Sequence, residues 1–401
     1  MALVLGKQSK VHESYSHLLE EATQEYLVNI WRSPTEWPNH GRRFAAAITL
    51  QVAYGHKIRQ RDDRLLTIVD RAMTQFNEMT AFNAYAVDAF PLSIEVRYVP
   101  EWFPGAGWKK KVPRYRDTLH AFVEDPFRMV KRRIAEGTSP SCFVSDLLSQ
   151  HERLSPEEEQ TTKNAAAGIY GGGSHTTAAA LETFILAMTL HPEAQQKAQQ
   201  ELDTVLGRGV LPIFADRTRL PYCEALMQEV ARLYGIIPIV PHVAAEDDVY
   251  NGYFIPKGSV ILANTWLYSR DATAYADPEV FDPGRFIASE DHAKERDPRG
   301  MLFGYGRRLA SQHVHHRLMI ILTSPPYSRY CPGVHLADAA LWLLYTSILA
   351  LFDVKPPFRN GKLIFPSGKF MEGSISHPEP FECVIQPREG TKDMLHRLVE
   401  N

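Results

Sequence analysis

The sequence is poor in the features that define several common protein classes. It has four cysteines in 401 residues and no CxxC pair, which argues against a zinc site or a disulfide scaffold and leaves a reduced intracellular environment as the default. Its formal net charge is only −3, whereas a nucleic-acid-binding domain tends to carry a strongly basic face. It also lacks internal repeats, low-complexity linkers, and any flavin or nicotinamide motif.

Long hydrophobic runs are missing as well. The most apolar stretch covers residues 341–352 and is too short to span a bilayer. The N-terminus turns polar after a brief apolar start, unlike a signal peptide. As written, the chain is expected to have no membrane anchor and to be soluble or at most peripheral.

What is present is an ordinary globular composition, with 44% hydrophobic and 23% charged residues, enough to build a large core. One continuous domain over residues 1–401 is the simplest prediction. Helical spacing of apolar residues predicts helices over residues 15–31, 64–76 and 118–135. A serine, a proline and two acids at residues 155–158 predict a helix start, and this helix runs to about Leu190 with an interruption at residues 171–173. A further helix is expected from Pro192 to near Gly207.

After Pro238 the pattern changes to short strands. Strands are predicted at residues 249–254 and 259–263, joined by a turn at residues 256–258, and again at residues 363–365 and 381–385. The predicted fold class is therefore mainly α with small β-sheets.

Glu229 and Arg232 are spaced so that they lie on one helix face and can pair. An exposed ion pair would satisfy this spacing. Arg285, in a proline-rich stretch downstream, could instead join them in a buried three-member network, which would fix one arrangement more than it would stabilise the fold.

Cys331 directly precedes Pro332 and Gly333 and a long apolar helix. A free cysteine is more often a small buried hydrophobe. A helix N-terminus, however, stabilises a thiolate, which is a good metal ligand. The arginines of the glycine-rich turn at residues 303–308 would suit the carboxylates of a cofactor.

Residues 303–308 and 330–333, when joined, read FGYGRRYCPG, which matches the haem-binding signature F-x-x-G-x-R-x-C-x-G. Together with the Glu229 motif, this match makes residues 165–388 resemble a cytochrome P450, a haem-thiolate monooxygenase. The closest resemblance is to the fungal microsomal type of secondary metabolism, similar to the O-methylsterigmatocystin oxidoreductase group. The first 150 residues fit only in their helical character. The resemblance implies a P450 fold that lacks its N-terminal part, namely an anchor, a first sheet and early helices.

The resemblance also assigns roles on the cysteine side of the cofactor, haem b (iron protoporphyrin IX). Cys331 would be the axial ligand of the haem iron, and Phe303 would pack near it. His242 and the arginine two residues before the cysteine would bind the propionates. Three residues would brace the fold near the cysteine loop: Glu229, Arg232 and Arg285.

On the opposite side of the haem, the resemblance implies that Thr176 hydrogen-bonds iron-bound oxygen and helps to deliver protons. His175 stands where the family has a carboxylate. Histidine titrates near neutral pH, so His175 is a candidate proton relay. The preceding glycines would let the helix bulge and admit oxygen. A glycine-weakened helix with a polar patch is the plainer interpretation.

The cysteine loop contains 21 residues too many, residues 309–329 or 308–328, because an arginine flanks each end. The arginine before the cysteine is therefore Arg329 or Arg308. The segment is predicted to be a short retained intron that is translated in frame, since its 21 residues correspond to 63 nucleotides. A true insertion is the alternative. The segment contains three histidines, His313, His315 and His316. They could form a metal site, but HxHH alone is a weak pattern. The segment is expected to prevent normal haem binding by detaching the 303–308 turn from Cys331.

The function implied is insertion of one oxygen atom from O2 into a lipophilic small molecule. Electrons would come from a separate NADPH-cytochrome P450 reductase on the endoplasmic reticulum. The alternative is a truncated, mis-spliced product that is not catalytic and holds no haem. A hydrolase using Ser174 and His175 is disfavoured, because adjacent helical residues point about 100° apart and no G-x-S-x-G elbow exists.

Overall fold

The computed structural model describes residues 8–58, 63–81, 98–103, 106–150, 154–290, 292–304 and 331–400. These residues form mainly α-helices with small two-stranded antiparallel sheets, so the predicted fold class is confirmed. The helices in chain order are α1 (Gln8–Arg32), α2 (Trp37–Tyr54), α3 (Arg64–Thr80), α4 (Val112–Ala135), α5 (Phe143–Ser149), α6 (Pro156–Leu190), α7 (Pro192–Val205), α8 (Pro221–Leu233), α9 (Thr265–Tyr268), α10 (Arg299–Leu302), α11 (Val334–Leu351) and α12 (Lys392–Glu400). Short 3-10 turns lie at Pro34–Glu36, Ala106–Lys111, Phe214–Arg219 and Pro283–Phe286.

The strands pair as two-stranded antiparallel sheets. β1 (Ile239–Val243) pairs with β4 (Val260–Asn264), and β2 (Asp248–Tyr250) pairs with β3 (Tyr253–Ile255). β5 (Phe352–Lys355) pairs with β8 (Val384–Pro387), and β6 (Phe358–Arg359) with β7 (Lys362–Leu363).

The contacts divide the described residues into two units. The first unit consists of those within residues 36–178 and 371–375, and the second of those within 8–35, 179–370 and 376–400. The boundary falls inside α6, after Ala178. The prediction of one continuous domain stays a prediction.

The core of the second unit is built around α11, whose residues are almost all buried. The aromatic ring of Tyr345 stacks on that of Phe184 at 3.9 Å between centroids. Within the part of the chain that the structure describes, α11 is the one helix long and apolar enough to cross a membrane, and 83% of that span is buried inside the protein. The prediction that the apolar run is too short to span a bilayer was wrong, because the helix that contains it begins at Val334. A mostly buried core helix can have this length and composition too.

Helix α6 begins as the sequence predicts. The Ser155 backbone amide donates to the Glu158 carboxylate at 2.8 Å, and the Glu158 amide donates to the Ser155 hydroxyl at 3.2 Å. This reciprocal pair satisfies two amides that the first turn of a helix leaves without partners.

The predicted interruption of α6 at its three glycines is wrong, since the helix is continuous from Pro156 to Leu190. The glycines serve close packing. A Cβ on Gly173 would lie 2.5 Å from the Thr49 methyl, and one on Gly171 would lie 2.9 Å from the Phe122 ring, whereas Gly172 has open space. Neighbouring side chains in the first unit therefore approach the backbone of α6 directly.

The strand predicted over residues 249–254 is also wrong, because this stretch is a hairpin. Asn251 and Gly252 have φ values of +49° and +84° and form a two-residue turn between β2 and β3. Asn-Gly is the sequence that favours such a turn, but the apolar residues on both sides of it read as one run.

Candidate active site

Cys331 lies just before the start of α11. Hydrogen bonds from the backbone N–H groups of Gly333 and Val334 reach its sulfur, and its own amide donates to the carbonyl oxygen of Phe303 at 2.8 Å. Burial raises the pKa of the Cys331 thiol, and the two amides oppose that rise. A thiol with a raised pKa stays protonated near neutral pH until a metal replaces its proton.

The other three cysteines lie in different settings. Burial raises the pKa of Cys383 to about 12 and that of Cys223 well above its usual value. Cys142 is the N-cap residue of the short helix α5, where its sulfur accepts the Ser145 amide at 3.4 Å. Of these cysteines, Cys331 is the one placed at the N-terminus of a long core helix.

Glu229, Arg232 and Arg285 lie together in the second unit. Arg232 Nε and Nη2 donate to the two Glu229 carboxylate oxygens, each at 2.7 Å. Arg285 Nε donates to Glu229 Oε1 at 3.3 Å. The Glu229 and Arg232 side chains are fully buried, and that of Arg285 is 4% exposed.

This network holds the irregular chain after α9. The Arg232 guanidinium donates to three backbone carbonyls, those of Ser269, Pro278 and Val280, at 2.6–3.1 Å. The Asp282 amide donates to Glu229 at 2.8 Å. Because this segment has little secondary structure of its own, α8 supplies its hydrogen-bonding partners.

The expected detachment of the glycine-rich turn from Cys331 is wrong at the first residue of that turn. Phe303 accepts the Cys331 amide, so its backbone is in direct contact with the cysteine. Residues 305–330 lie outside the described residues, and they include the turn after Gly304, the whole extra segment and five predicted site residues: Arg308, Arg329, His313, His315 and His316. In the described part of the chain, no group of three or more His, Cys, Asp or Glu could hold a metal ion.

A second charged network in the second unit was not predicted. Arg217 and Arg299 each contact both Glu224 and Asp338. The four side chains come from four separate elements, so no spacing in the sequence predicts the network. The one signal in the sequence was the position of Arg299 and Asp338 on either side of the cysteine loop.

Thr176 and His175 lie on α6, in the first unit. The Thr176 hydroxyl donates to the carbonyl oxygen of Gly172 at 2.6 Å, one turn earlier, and both side chains are partly exposed. Ser174 is buried, with its hydroxyl 2.7 Å from that of Thr49 and 2.6 Å from the Tyr170 carbonyl oxygen. A serine held in this way is a poor nucleophile, which weighs further against a hydrolase.

His242 is 2% exposed and lies on β1, opposite Ile261 of β4. Its predicted role at a haem propionate stays a prediction. The Cys331 site fits a haem iron by the chemistry of its donors, since a single sulfur with two amide hydrogen bonds at a helix start is suited to a thiolate ligand.

Comparison with known proteins decides the family. A model of the family described as "Cytochrome P450" matches residues 9–309. The chain belongs to the cytochrome P450 family. The match ends at the first residue of the segment predicted to be foreign.

Curated fungal relatives agree with this assignment. Cytochrome P450 monooxygenase 208 of Postia placenta is 40% identical over 96% of this chain and 70% of its own length. Cytochrome P450 monooxygenase claR of Ampulloclitocybe clavipes is 36% identical over 96% and 67%, and ppsD of Aspergillus oryzae is 33% identical over 96% and 69%. The chain is thus an oxidoreductase of the haem-dependent P450 monooxygenase type. The finer likeness to the O-methylsterigmatocystin oxidoreductase group stays a prediction, and the relatives give no support to a non-catalytic product.

Proposed function

We propose that this P450 monooxygenase inserts one oxygen atom of O2 into a lipophilic small organic molecule. The second oxygen atom leaves as water, with two protons and with two electrons that a separate NADPH-dependent reductase supplies. The observation that carries the proposal is the position of the Cys331 sulfur at the start of α11, where two backbone amides donate hydrogen bonds to it.

The proposed residue roles rest on the family resemblance, and that of Cys331 rests also on its setting before α11. Cys331 would hold the haem iron, and haem would supply the oxygen-activating chemistry. The Cys331 amide, by donating to Phe303, fixes the backbone that carries the ligand. Arg329 or Arg308 and His242 pair with the propionates. Thr176 and His175 would hold and move protons for this chemistry.

The electron source is proposed to be an NADPH-cytochrome P450 reductase at the endoplasmic reticulum membrane. The sequence has no flavin or nicotinamide motif, which supports an external donor. The likeness to fungal microsomal P450s supports the location. The lipophilic substrate rests on the same likeness.

The test of the haem ligand uses single cysteine substitutions in a purified, haem-reconstituted form of the chain that lacks residues 309–329 and is extended to the length of its relatives. Reduced protein with carbon monoxide is expected to show the long-wavelength band of thiolate ligation. Cys331→Ser abolishes this band, whereas Cys142→Ser, Cys223→Ser and Cys383→Ser retain it. A band that survives Cys331→Ser and is lost with another cysteine contradicts the proposal. Absence of stoichiometric haem in this edited chain without any cysteine substitution contradicts the proposed function.

A further inference from the structure

The second network of charges in the second unit is a closed ring. Arg217 Nη1 donates to Asp338 Oδ2 at 2.5 Å, and Arg217 Nε donates to Glu224 Oε2 at 2.9 Å. Arg299 Nη1 lies 2.8 Å from Asp338 Oδ1 and 2.8 Å from Glu224 Oε1. Positive and negative groups alternate around the ring, so each carboxylate bridges two guanidiniums.

The ring is partly shielded from water, since its side chains are 13–25% exposed. Burial would raise the pKa of Asp338, but the hydrogen bonds and charges of Arg217 and Arg299 outweigh it and leave this pKa lowered. The Arg217 guanidinium also lies over the Trp342 ring, 5.6 Å from its centroid. Arg217 is thereby held against α11 by both a charge pair and an aromatic ring.

Two of the ring residues lie on opposite sides of the cysteine loop in the sequence. Arg299 precedes Phe303 by four residues, and Asp338 follows Cys331 by seven. Their contact therefore joins the two sides of the cysteine loop without any residue between 305 and 330. The hydrogen bond from the Cys331 amide to Phe303 is a second junction between the same two stretches.

Helix α8 anchors the side that precedes the loop. Glu224, near its start, holds Arg299 directly. One turn later, Gln228 donates to Asp297 at 3.0 Å, and Asp297 accepts from Arg299 Nη2 at 2.7 Å. Paired arginine and carboxylate groups have strict geometry, and partly buried pairs fix an arrangement better than they add net stability.

We propose that four ring residues are positioning residues for Cys331, because they hold the start of α11 against α10 and so fix the place of the sulfur: Arg217, Glu224, Arg299 and Asp338. The proposal rests on the proposed role of Cys331 as the haem ligand. None of the four is placed in contact with the haem or the substrate.

The test measures the Cys331 thiol in the full chain without haem. Alkylation by iodoacetamide is followed by mass spectrometry of the peptide that contains Cys331, with the Cys383 peptide as an internal reference. Asp338→Asn and Arg299→Gln are each expected to speed Cys331 labelling about tenfold, the usual scale for one lost hydrogen bond to a charged group, and to leave Cys383 labelling unchanged. The double variant is expected to react more slowly than the product of the two single accelerations predicts, because both substitutions remove the Arg299–Asp338 contact.

Asp203→Asn is the matched control. It removes a carboxylate that Arg388 contacts at 2.7 Å in the same unit, with side chains 23% and 8% exposed, but not in the ring. Cys331 labelling is expected to stay at the unsubstituted rate. Equal acceleration by Asp203→Asn, or equal acceleration of Cys331 and Cys383, shows a general loss of stability and overturns the proposal.

A second measurement separates this inference from the proposed function. After haem is added, the ring variants are expected to show a smaller share of the long-wavelength carbon monoxide band than Asp203→Asn does. Acceleration confined to Cys331 supports the positioning role even if neither the variants nor the parent chain binds haem, and in that case only the proposed function fails. Unchanged Cys331 labelling in both ring variants overturns the positioning role whatever the haem content.

Discussion

Glu229 accepts hydrogen bonds from two arginines and from the Asp282 amide, so its charge is fully compensated although it is buried. Such a group is costly to disturb, because removing one partner leaves the others buried and unpaired. The ring around Asp338 is more exposed and differs in kind. It ties together segments on either side of the cysteine, and its side chains are partly exposed to water.

The Asp338 carboxylate gives a pH-dependent prediction. Its pKa is lower in the folded chain than its ordinary value, so its stabilisation is complete above about pH 4 and is lost as the pH falls through the folded-state pKa. Asp338→Asn is expected to lower the free energy of unfolding by about 2 kcal/mol at pH 7. At pH 3 the difference between the two proteins is expected to be smaller.

Urea unfolding of the haem-free chain at both pH values measures this effect. The exposed Glu389 in the same unit supplies the control, since Glu389→Gln is expected to change stability by less than about 0.5 kcal/mol. If Asp338→Asn lowers the free energy of unfolding by the same amount at pH 7 and at pH 3, the stabilisation does not come from the ionised Asp338 carboxylate.

His175 gives a prediction about proton delivery, since it stands where the family has a carboxylate. In a haem-loaded, active form of the chain, His175→Asp is expected to raise the share of NADPH electrons that end in product and to lower the share that ends in peroxide. His175→Asn, which has no titratable group, is the control and is expected to give no gain. An unchanged share of electrons in product in the Asp variant means that His175 already delivers protons or that this position does not affect proton delivery.

Individual residues were predictable from the sequence to different degrees. Glu229 and Arg232 lie three residues apart on one helix, which the sequence shows directly, whereas Arg285 was added through its place in a family-like segment. The pairing of Arg217 with Asp338 spans 121 positions and follows only from the packing of α11, which no local pattern contains.

At the scale of single elements, α6 shows how a local rule can mislead. Three successive glycines predict a break, because glycine is a poor helix former. The helix continues because Thr49 and Phe122 pack so close to its backbone that a Cβ would collide at two of the three positions. Tertiary packing therefore overrides the local preference.

This packing predicts opposite effects for neighbouring glycines. Gly173→Ala is expected to destabilise the haem-free chain by about 1–3 kcal/mol, because its new methyl group would overlap the Thr49 methyl. Gly172→Ala, which meets open space, is expected to be neutral or to stabilise by up to about 1 kcal/mol. Thermal and urea unfolding of the two variants provide the measurement.

A second substitution tests the cause of the Gly173 effect. Thr49→Ser removes the obstructing methyl but keeps the hydroxyl that lies 2.7 Å from Ser174. Added to Gly173→Ala, it is expected to recover most of the lost stability. Equal costs for the two glycine variants, or no recovery with serine, would show that backbone flexibility rather than close packing explains the glycines.

The strands show the limits of pattern reading at the same scale. Alternating apolar residues located the chain that forms β2, β3 and β4, but the Asn251-Gly252 turn was hidden in one apolar run. Its signal was chemical rather than periodic, since these residues adopt the positive φ values that a two-residue hairpin needs.

At the scale of the whole molecule, the signature broken between Arg308 and Tyr330 predicted the family, which the comparisons confirm. That residues 309–329 are foreign stays a prediction. The structure adds what the sequence could not, namely that Cys331 and Phe303 remain hydrogen-bonded. The cysteine backbone is therefore joined to Phe303 although the extra residues are present.

This reasoning gives the prediction for the 21 extra residues. Closing a longer loop costs little, about 0.6 kcal/mol for each doubling of its length. The larger loss is positional, because the groups around a bound ligand must be held to within about 0.5 Å, and Arg308 and Arg329 cannot both occupy the place next to the cysteine. The chain with residues 309–329 is expected to bind haem weakly or not at all. Deletion of residues 309–329, in a chain extended to the length of its relatives, is expected to restore a thiolate-ligated haem spectrum, measured as haem content and as the reduced carbon monoxide band. Equal haem binding by the extended chain with and without the segment identifies the extra residues as a tolerated loop, held outside a cysteine site that Phe303 and the Asp338 ring already fix.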